Sequence, residues 1–447
     1  MKVYQAKRLP EHRGRAAWRD ILPPRQATQP LDQDILADFV VIGAGFAGLS
    51  AARRLTQLNP GARIVVLEAG EIAEGASGRN SGFMIDLPHD LASDDYAGQA
   101  ENSDLKTIRL NRMAIDFARE AVEEYGINPA YFDPVGKVNG AASLSGDKHN
   151  QDYAKHLERL GEPSQMLDAQ AMTELTGSRY YLSGLYTPGT AMLQPAGYIQ
   201  GLADGLQRNT QIFENTPVTR FSKVSSDWLL STPKGTVTTP RIIVANNGHL
   251  ESFGFARGRL MHIFLYASMT PELDPDALKT LGGQSRWGIT PADPMGTTVR
   301  RIDTVQGGNR IVTRTCASFL PDMKASKAGL ARAVGVQQQK FDARFPALSG
   351  MKMQYSWAGH LCLSKNNVSI MREIDDNVFS ACCQNGLGTA RGTMTGIGAA
   401  ELASGHSSEI TRAFMNEADP QKLPPRPFST IGANVYLRWK EWRAGRE

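Results

Sequence analysis

A chain of 447 residues can hold two hydrophobic cores, because single cores stop growing beyond about 250 to 300 residues. Its 49 basic and 45 acidic residues leave a net charge of +4 spread without a basic block, which argues against nucleic acid as a partner. The four cysteines and eight histidines show no metal-ligand spacing, no apolar run approaches the roughly 18 residues of a membrane span, and the basic N-terminus has no apolar signal core, so a cytoplasmic protein without a metal site is expected.

Met1 to Leu36 is a polar arm (LPPRQATQPLDQD in its second half) with little periodicity, read as an extended lead-in over the surface with Trp18 as its anchor. The pattern then becomes regular. Phe39, Val40, Val41 and Ile42 form the continuous apolar run of a strand buried on both faces of a parallel sheet. Gly43, Gly45 and Gly48 follow as G-x-G-x-x-G, for a tight turn, a close backbone approach to a pyrophosphate, and close packing of a helix on the strand. A helix from Leu49 to Leu58 and a second buried strand, Arg63 to Leu67, lead to Glu68, where a carboxylate can accept hydrogen bonds from ribose hydroxyls. This order predicts a dinucleotide lying on a helix N-terminus. An acid at the strand end suits a free ribose, so NADP fits least.

Gly75 to Gly82, GASGRNSG, is a second turn of small residues, with Arg79 as a cation for the same diphosphate. The run from Asp38 to Phe83 resembles the N-terminal part of the D-amino-acid oxidase, glycine oxidase and sarcosine oxidase superfamily, and looks most like its gamma-glutamylputrescine oxidase branch, which reads aSGRNgG here. The resemblance implies non-covalent FAD over Gly43, Gly45, Phe46, Ala47 and Gly48, with Glu68 and Ala69 at the adenosine ribose. Ser77, Arg79, Asn80, Ser81 and Gly82 would follow the diphosphate and flavin edge. It also implies an α/β fold: a Rossmann-like FAD-binding domain and an α+β substrate domain built on an antiparallel sheet.

Phe83 to Leu91, with Met84, Ile85 and His89, should run from the flavin edge toward the catalytic cavity. Ser103 to Tyr125 repeats apolar residues at helical spacing, and Asp147 to Leu160 and Asp168 to Leu175 read as further helices. Pro195 to Arg208 is a helix opened by proline. Strands follow at Gln211 to Phe213, Val218 to Val224 and Arg241 to Ala245; by resemblance Val218 pairs with adenine and Ala245 ends near the diphosphate. Phe264 to Met269, Thr297 to Ile302 and Arg310 to Thr315 are strand candidates for the roof of the flavin, and Ala325 to Phe345 is a helix. Domain boundaries are expected after residues 36, 92, 187, 250, 355 and 412: the arm, then FAD-binding and substrate segments in alternation, the third FAD-binding segment spanning 356–412, and a tail.

WAGHLCLSKNN, a strand at Asn377 to Ala381, and QNGLGTARGTMTGIGAAELASG resemble the superfamily's closing motif, in which a helix N-terminus points at the flavin pyrimidine. Gly386, Leu387, Gly388 and Thr389 are the residues implied there. Leu387 stands where members usually have histidine, Ser369 where they have proline, and Arg372 and Cys383 where they have glycine. The tail from Pro424, with Trp439 and Trp442 among basic residues, reads as an amphipathic helix packed on the protein surface rather than on a membrane.

The implied chemistry is oxidation of a small amine or amino acid by hydride transfer to flavin, followed by imine hydrolysis, with O2 or another electron acceptor. It requires no nucleophile, and no catalytic residue is named. Substrate contacts are expected from Met84, from Arg300 or Arg301 as a carboxylate clamp, and from His360. Cys316 is read as a packed thiol rather than a covalent flavin tether. An amine dehydrogenase, or a flavin-binding protein that has lost amine oxidation, remain the alternatives.

Overall fold

The apolar run that follows the arm sits at the centre of a six-stranded sheet. In the computed structural model, which describes residues 2–88 and 101–447, the order is Gln211–Phe213, Ile64–Leu67, Phe39–Ile42, Ile242–Val244, Val378–Cys382 and Ile370–Asp375. The first five strands are parallel, and the last pairs antiparallel at the edge. Alternate residues serve opposite faces, as a pleated strand requires. Phe39, Val41, Ile64 and Val66 pack against helices Phe46–Leu58, Pro195–Leu206 and Ala390–Ala403. Val40, Ile42, Val65 and Val244 meet Phe221, Trp228, Leu230 and Val237. Those four belong to a meander, Arg220–Val224, Asp227–Ser231 and Thr236–Thr239.

The arm is more ordered than its sequence suggests. Val3–Gln5 and Ile35–Leu36 extend the two edges of the meander, and Gly14–Arg15 pairs with Tyr355–Ser364. Partners supplied from far along the chain make strands of a segment without periodicity. Trp18 is fully buried, and its indole N–H donates to the Asn80 carbonyl at 2.9 Å.

A second sheet of nine strands runs Gly14–Arg15, Tyr355–Ser364, Leu260–Met269, Arg310–Phe319, Thr298–Ile302, Trp287–Pro291, Lys137–Ala141, Ser183–Thr187 and Gln165–Asp168. It is antiparallel except where Trp287–Pro291 lies parallel to Lys137–Ala141. Helix Lys327–Arg344 covers one face, and Phe264, Tyr266 and Cys316 pack with its Ala333. Parts of the opposite face, through Ala267, Met269, Val312 and Trp357, share a core with the helices of the first sheet. Among the described residues no helix is long and apolar enough to cross a membrane.

Candidate active site

Between the two sheets runs one long cavity, and its nucleotide end is made largely of main chain. Gly43 has φ +105°, which glycine adopts without strain. A Cβ on Gly48 would lie 1.8 Å from the Gly43 carbonyl oxygen, so only glycine lets helix Phe46–Leu58 start this close to the strand. A Cβ on Gly45 would meet nothing nearer than 3.8 Å, which leaves the main chain open to a ligand. No side chain caps this helix, and Phe46 and Ala47 at its start line the cavity. Glu68 accepts the N–H of Ala44 at 2.7 Å and of Gly70 at 3.2 Å, and burial raises its pKa above the usual carboxylate range.

A second helix converges on the same space. Helix Ala390–Ala403 also starts without a side-chain cap, and Gly386, Leu387, Gly388 and Thr389 line the cavity at its head. A Cβ on Gly396 would lie 2.1 Å from the Ala47 carbonyl oxygen, so the two helices touch backbone to backbone. The Thr389 hydroxyl donates to the Phe83 carbonyl at 2.8 Å, which ties this helix start to the segment after the GASGRNSG turn. Cys383, in a glycine position of the superfamily, has φ +62°, and its N–H donates to Asn247 Oδ1 at 3.1 Å. Two bare helix starts, an open glycine and a carboxylate at a strand end are the donor set a dinucleotide needs.

Most of the residues singled out from sequence come together on this cavity: Gly43, Gly45, Phe46, Ala47, Glu68, Ala69, Ser77, Arg79, Asn80, Ser81, Val218, Ala245, Gly386, Leu387, Gly388, Thr389 and His360. Others do not. Gly48 is spent on helix packing, and Gly82 on the close approach of Arg300, whose Nη1 would lie 2.0 Å from a Cβ there. Met84 is fully buried in the core rather than open to a substrate. Arg79 is committed to the protein: Nε donates to the Glu74 carbonyl at 2.7 Å and Nη1 to those of Gly14 and Arg13 at 3.0 and 3.2 Å. Burial lowers its pKa to about 10.

Neither clamp arginine reaches the cavity. The two point to opposite sides of their strand, as alternation demands. Arg300 donates to the carbonyls of Leu193, Ser81 and Gly82 at 2.6, 3.0 and 3.2 Å, lies over the Trp18 ring, and is pushed down to about 9 by burial. Arg301 donates to the Gly282 carbonyl. Both serve main-chain carbonyls. Cys316 is likewise buried away from the cavity lining. His89 lies outside the described residues.

The cation that the nine-stranded sheet brings to the cavity is Arg314; Arg8 and Arg79 line it elsewhere. Thr290 opposes Thr298 across two strands by extension of their register, and Thr298 in turn pairs with Arg314 and Arg314 with Ala267. One face of the sheet therefore offers two hydroxyls and a guanidinium in a row. Behind Thr290, 3.3 Å from its hydroxyl, the fully buried Lys137 ammonium is lowered to about 8 by desolvation. The sequence signal for Arg314 was the alternation in IVTRTCASF, which sets it two residues from Val312 on one face. Thr290 and Lys137 lie on strands that periodicity did not reveal.

His360 lines the cavity's other flank. Its ring stacks on Phe264, with centroids 5.0 Å apart, and its Nε2 lies 3.2 Å from His262 Nδ1. His262 Nε2 is 2.6 Å from Glu251. An ionised Glu251 takes the Nε2–H of His262, whose Nδ1 then accepts the Nε2–H of a neutral His360. Burial, with His262 and His249 adjacent, holds the pKa of His360 well below the usual imidazole value.

An extended cavity with a strand-end carboxylate at one end, two helix N-termini along it and a sheet over its far end is the architecture of a dinucleotide-dependent oxidoreductase. The chain belongs to the DAO family, described as FAD dependent oxidoreductase, whose profile matches residues 38–402. The gamma-glutamylputrescine oxidoreductase of Escherichia coli K12 is 25% identical over 425 residues, 89% of each chain. Among solved structures, glycine oxidase from Geobacillus kaustophilus superposes with TM-score 0.69 at 16% identity, covering 86% of this chain and 100% of that one. L-proline dehydrogenase from P. horikoshii does so with TM-score 0.63 at 16% identity, covering 85% and 96%. The cofactor is FAD, and the resemblance carried by SGRNSG agrees with the gamma-glutamylputrescine relative.

Proposed function

We propose that this oxidoreductase oxidises a carbon–nitrogen bond of a small amine or amino acid, and that its substrate carries an acidic group recognised by Arg314. The FAD, when bound, supplies the redox step by taking a hydride from the carbon beside a neutral nitrogen. The protein's part is to bind and orient. The Thr290, Thr298 and Arg314 row carries this reading, because a guanidinium flanked by hydroxyls suits a planar carboxylate. Gamma-glutamylputrescine, for which one relative is named, bears both an amine and a carboxylate. The uncapped start of helix Ala390–Ala403 favours negative charge in the adjacent cavity, by about 0.3 to 1 kcal/mol when exposed and up to about 2 when partly buried. Non-covalent attachment of FAD and the cavity-lining residues as its ligands are part of the same proposal.

Anaerobic mixing with amines, N-methyl amino acids and acidic amino derivatives should bleach the flavin bands, fastest for the acidic compounds. Air then separates the acceptors: rapid return of colour marks an oxidase, and slow return with dye-linked turnover marks a dehydrogenase. Leu387, apolar where members usually place histidine, favours one second reading, a flavin-binding protein that no longer oxidises amines. Absence of bleaching by every compound would select that reading.

A further inference from the structure

The C-terminal helix Phe428–Ala444 is apolar on two opposite sides, and the protein uses only one of them. Its inner side packs Ala433 and Leu437 against Ile263, Ala317 and Phe319 of the nine-stranded sheet. Polar pins fix its rotation. Asn434 exchanges hydrogen bonds with the Phe319 N–H and carbonyl at 3.0 and 2.9 Å, and Glu441 accepts the Ala317 N–H at 2.8 Å.

The outer side repeats at i, i+3, i+7, i+11 and i+14: Phe428, Ile431, Val435, Trp439 and Trp442, exposed by 74, 62, 64, 46 and 78%. At 100° per residue these five fall within about 80° of arc, with Arg443 on one border and Arg438, whose Nη1 donates to the two Glu441 carboxylate oxygens at 3.0 and 2.9 Å, on the other. Arg443 lies 5.1 Å over the Trp439 ring. The two acids of the segment face inward. Glu441 is held by Ala317, Arg332 and Arg438, and the buried Glu447 by Ala142 and Ser143. Lys422, Arg426 and Arg446 add exposed cations at the two ends. The nearby exposed Asp322 is shared by Arg8 and Arg426, two cations to one anion. An exposed stripe of tryptophan and branched aliphatic side chains bordered by cations is the pattern of a helix lying in a membrane interface.

We infer that this helix docks the protein flat on a bilayer surface rich in anionic headgroups, with Trp439 and Trp442 in the interface and Lys422, Arg443 and Arg446 toward the phosphates. Charge decides against a second copy of the chain. A two-fold contact through this stripe would set two net-positive segments against each other, residues 422–447 carrying six basic and two acidic side chains, with no outward acid on the helix to meet them. Docking also brings the flavin cavity close to the lipid. Leu265 and Leu361, in the apolar cluster with the helix's inner side, line that cavity.

The test is co-sedimentation of the full flavin-loaded chain with vesicles of phosphatidylglycerol and phosphatidylethanolamine, against vesicles of phosphatidylcholine, at low and high salt. The expected result is binding to the anionic vesicles, weakened by salt, with a blue shift of tryptophan emission. Ile431→Glu combined with Trp442→Glu should cut the bound fraction about tenfold or more while flavin content and melting temperature hold, because both positions point outward. Trp442→Phe should retain binding. Absence of sedimentation, or equal sedimentation with phosphatidylcholine, overturns the inference. So does a dimer in light scattering that the double substitution splits.

Discussion

The two ends of the cavity are built from different materials. The nucleotide end is a meeting of main chains: two glycine-started helices in backbone contact, an open turn and one carboxylate. The far end is a meeting of side chains projected from a sheet, Arg314, Thr290 and Thr298 on one face and the His360, His262 and Glu251 chain at one flank. Substitutions should therefore act in opposite ways: a methyl group too many ruins the first, whereas the second tolerates shape changes and answers to charge.

The largest effect is expected from adding side chain where backbone meets backbone. Gly48→Val and Gly396→Val each force a Cβ to within about 2 Å of a carbonyl oxygen that belongs to an ordered helix or turn. The helices must part, and displacement of packed backbone costs several kcal/mol, roughly 3 or more. Both variants should purify colourless or fail to fold, read as the ratio of flavin to protein absorbance. Full flavin content in either would break the contrast.

Acid comes next, and it acts on the side-chain end. His249 is lowered to about 4, chiefly by burial, and His360 falls well below its usual value. At His249 the neighbouring His262 and His12 and then Arg8 press in the same direction. Unfolded, each imidazole takes a proton near pH 6.5. Folded, His249 stays neutral to about pH 4, and His360 to well below its usual value. Their contribution is thus complete above about pH 6.5 and is lost as the pH falls below it, by about 1.4 kcal/mol per histidine per pH unit. Urea midpoints should drop between pH 7 and 5.5, and His249→Phe should flatten the slope by about half. A midpoint that does not move over that interval contradicts the buried, neutral assignment.

Arg300 and Arg314 sharpen the comparison because they are the same residue on neighbouring strands, used differently. Arg300→Met strips three main-chain carbonyls of a charged donor, and should cost about 3 kcal/mol of stability together with flavin affinity. Arg314→Met should leave the melting temperature within a few degrees. For an acidic substrate it should lower kcat/KM by about tenfold to a hundredfold, which is roughly 1.5 to 3 kcal/mol of charged hydrogen bonding, with little effect on a neutral amine. Equal losses for both substrates would remove Arg314 from recognition.

The same division explains what could be read from the sequence. Glycine spacing, an apolar run and an acid at a fixed distance are local, so the path from Gly43 to Glu68 was visible before any fold was known, whereas the turn at Gly386 to Thr389 was implied only by the resemblance of its sequence to the superfamily's closing motif. Arg301 and Met84 were misplaced because the face a strand residue presents depends on its register with strands far away in sequence. Gly288 and Val312 flank Arg300, and only the assembled sheet shows that its guanidinium ends beneath Ser81 and Gly82. Strands Trp287–Pro291 and Lys137–Ala141, buried throughout, escaped for a related reason. Both are short and lack alternation, and it is the pairing between them that makes them strands.

Cys383 tests the contrast at its smallest scale, since a side chain there occupies a backbone position. At φ +62° a Cβ costs about 1 to 2 kcal/mol, which Cys383→Gly would relieve. Two effects oppose. The freer glycine loses about 0.5 to 1 kcal/mol more entropy on folding, and removing a fully buried thiol leaves a small void worth about 1 kcal/mol. The sum is close to zero, so the melting temperature should stay within about 2 °C of the parent. The sign of the residual shift carries the information. A rise means that strain outweighs packing and the turn behaves as the backbone-built end does, whereas a fall means that the thiol, packed beside Cys362 and Asn385, has become part of the core on which the Asn247 contact rests.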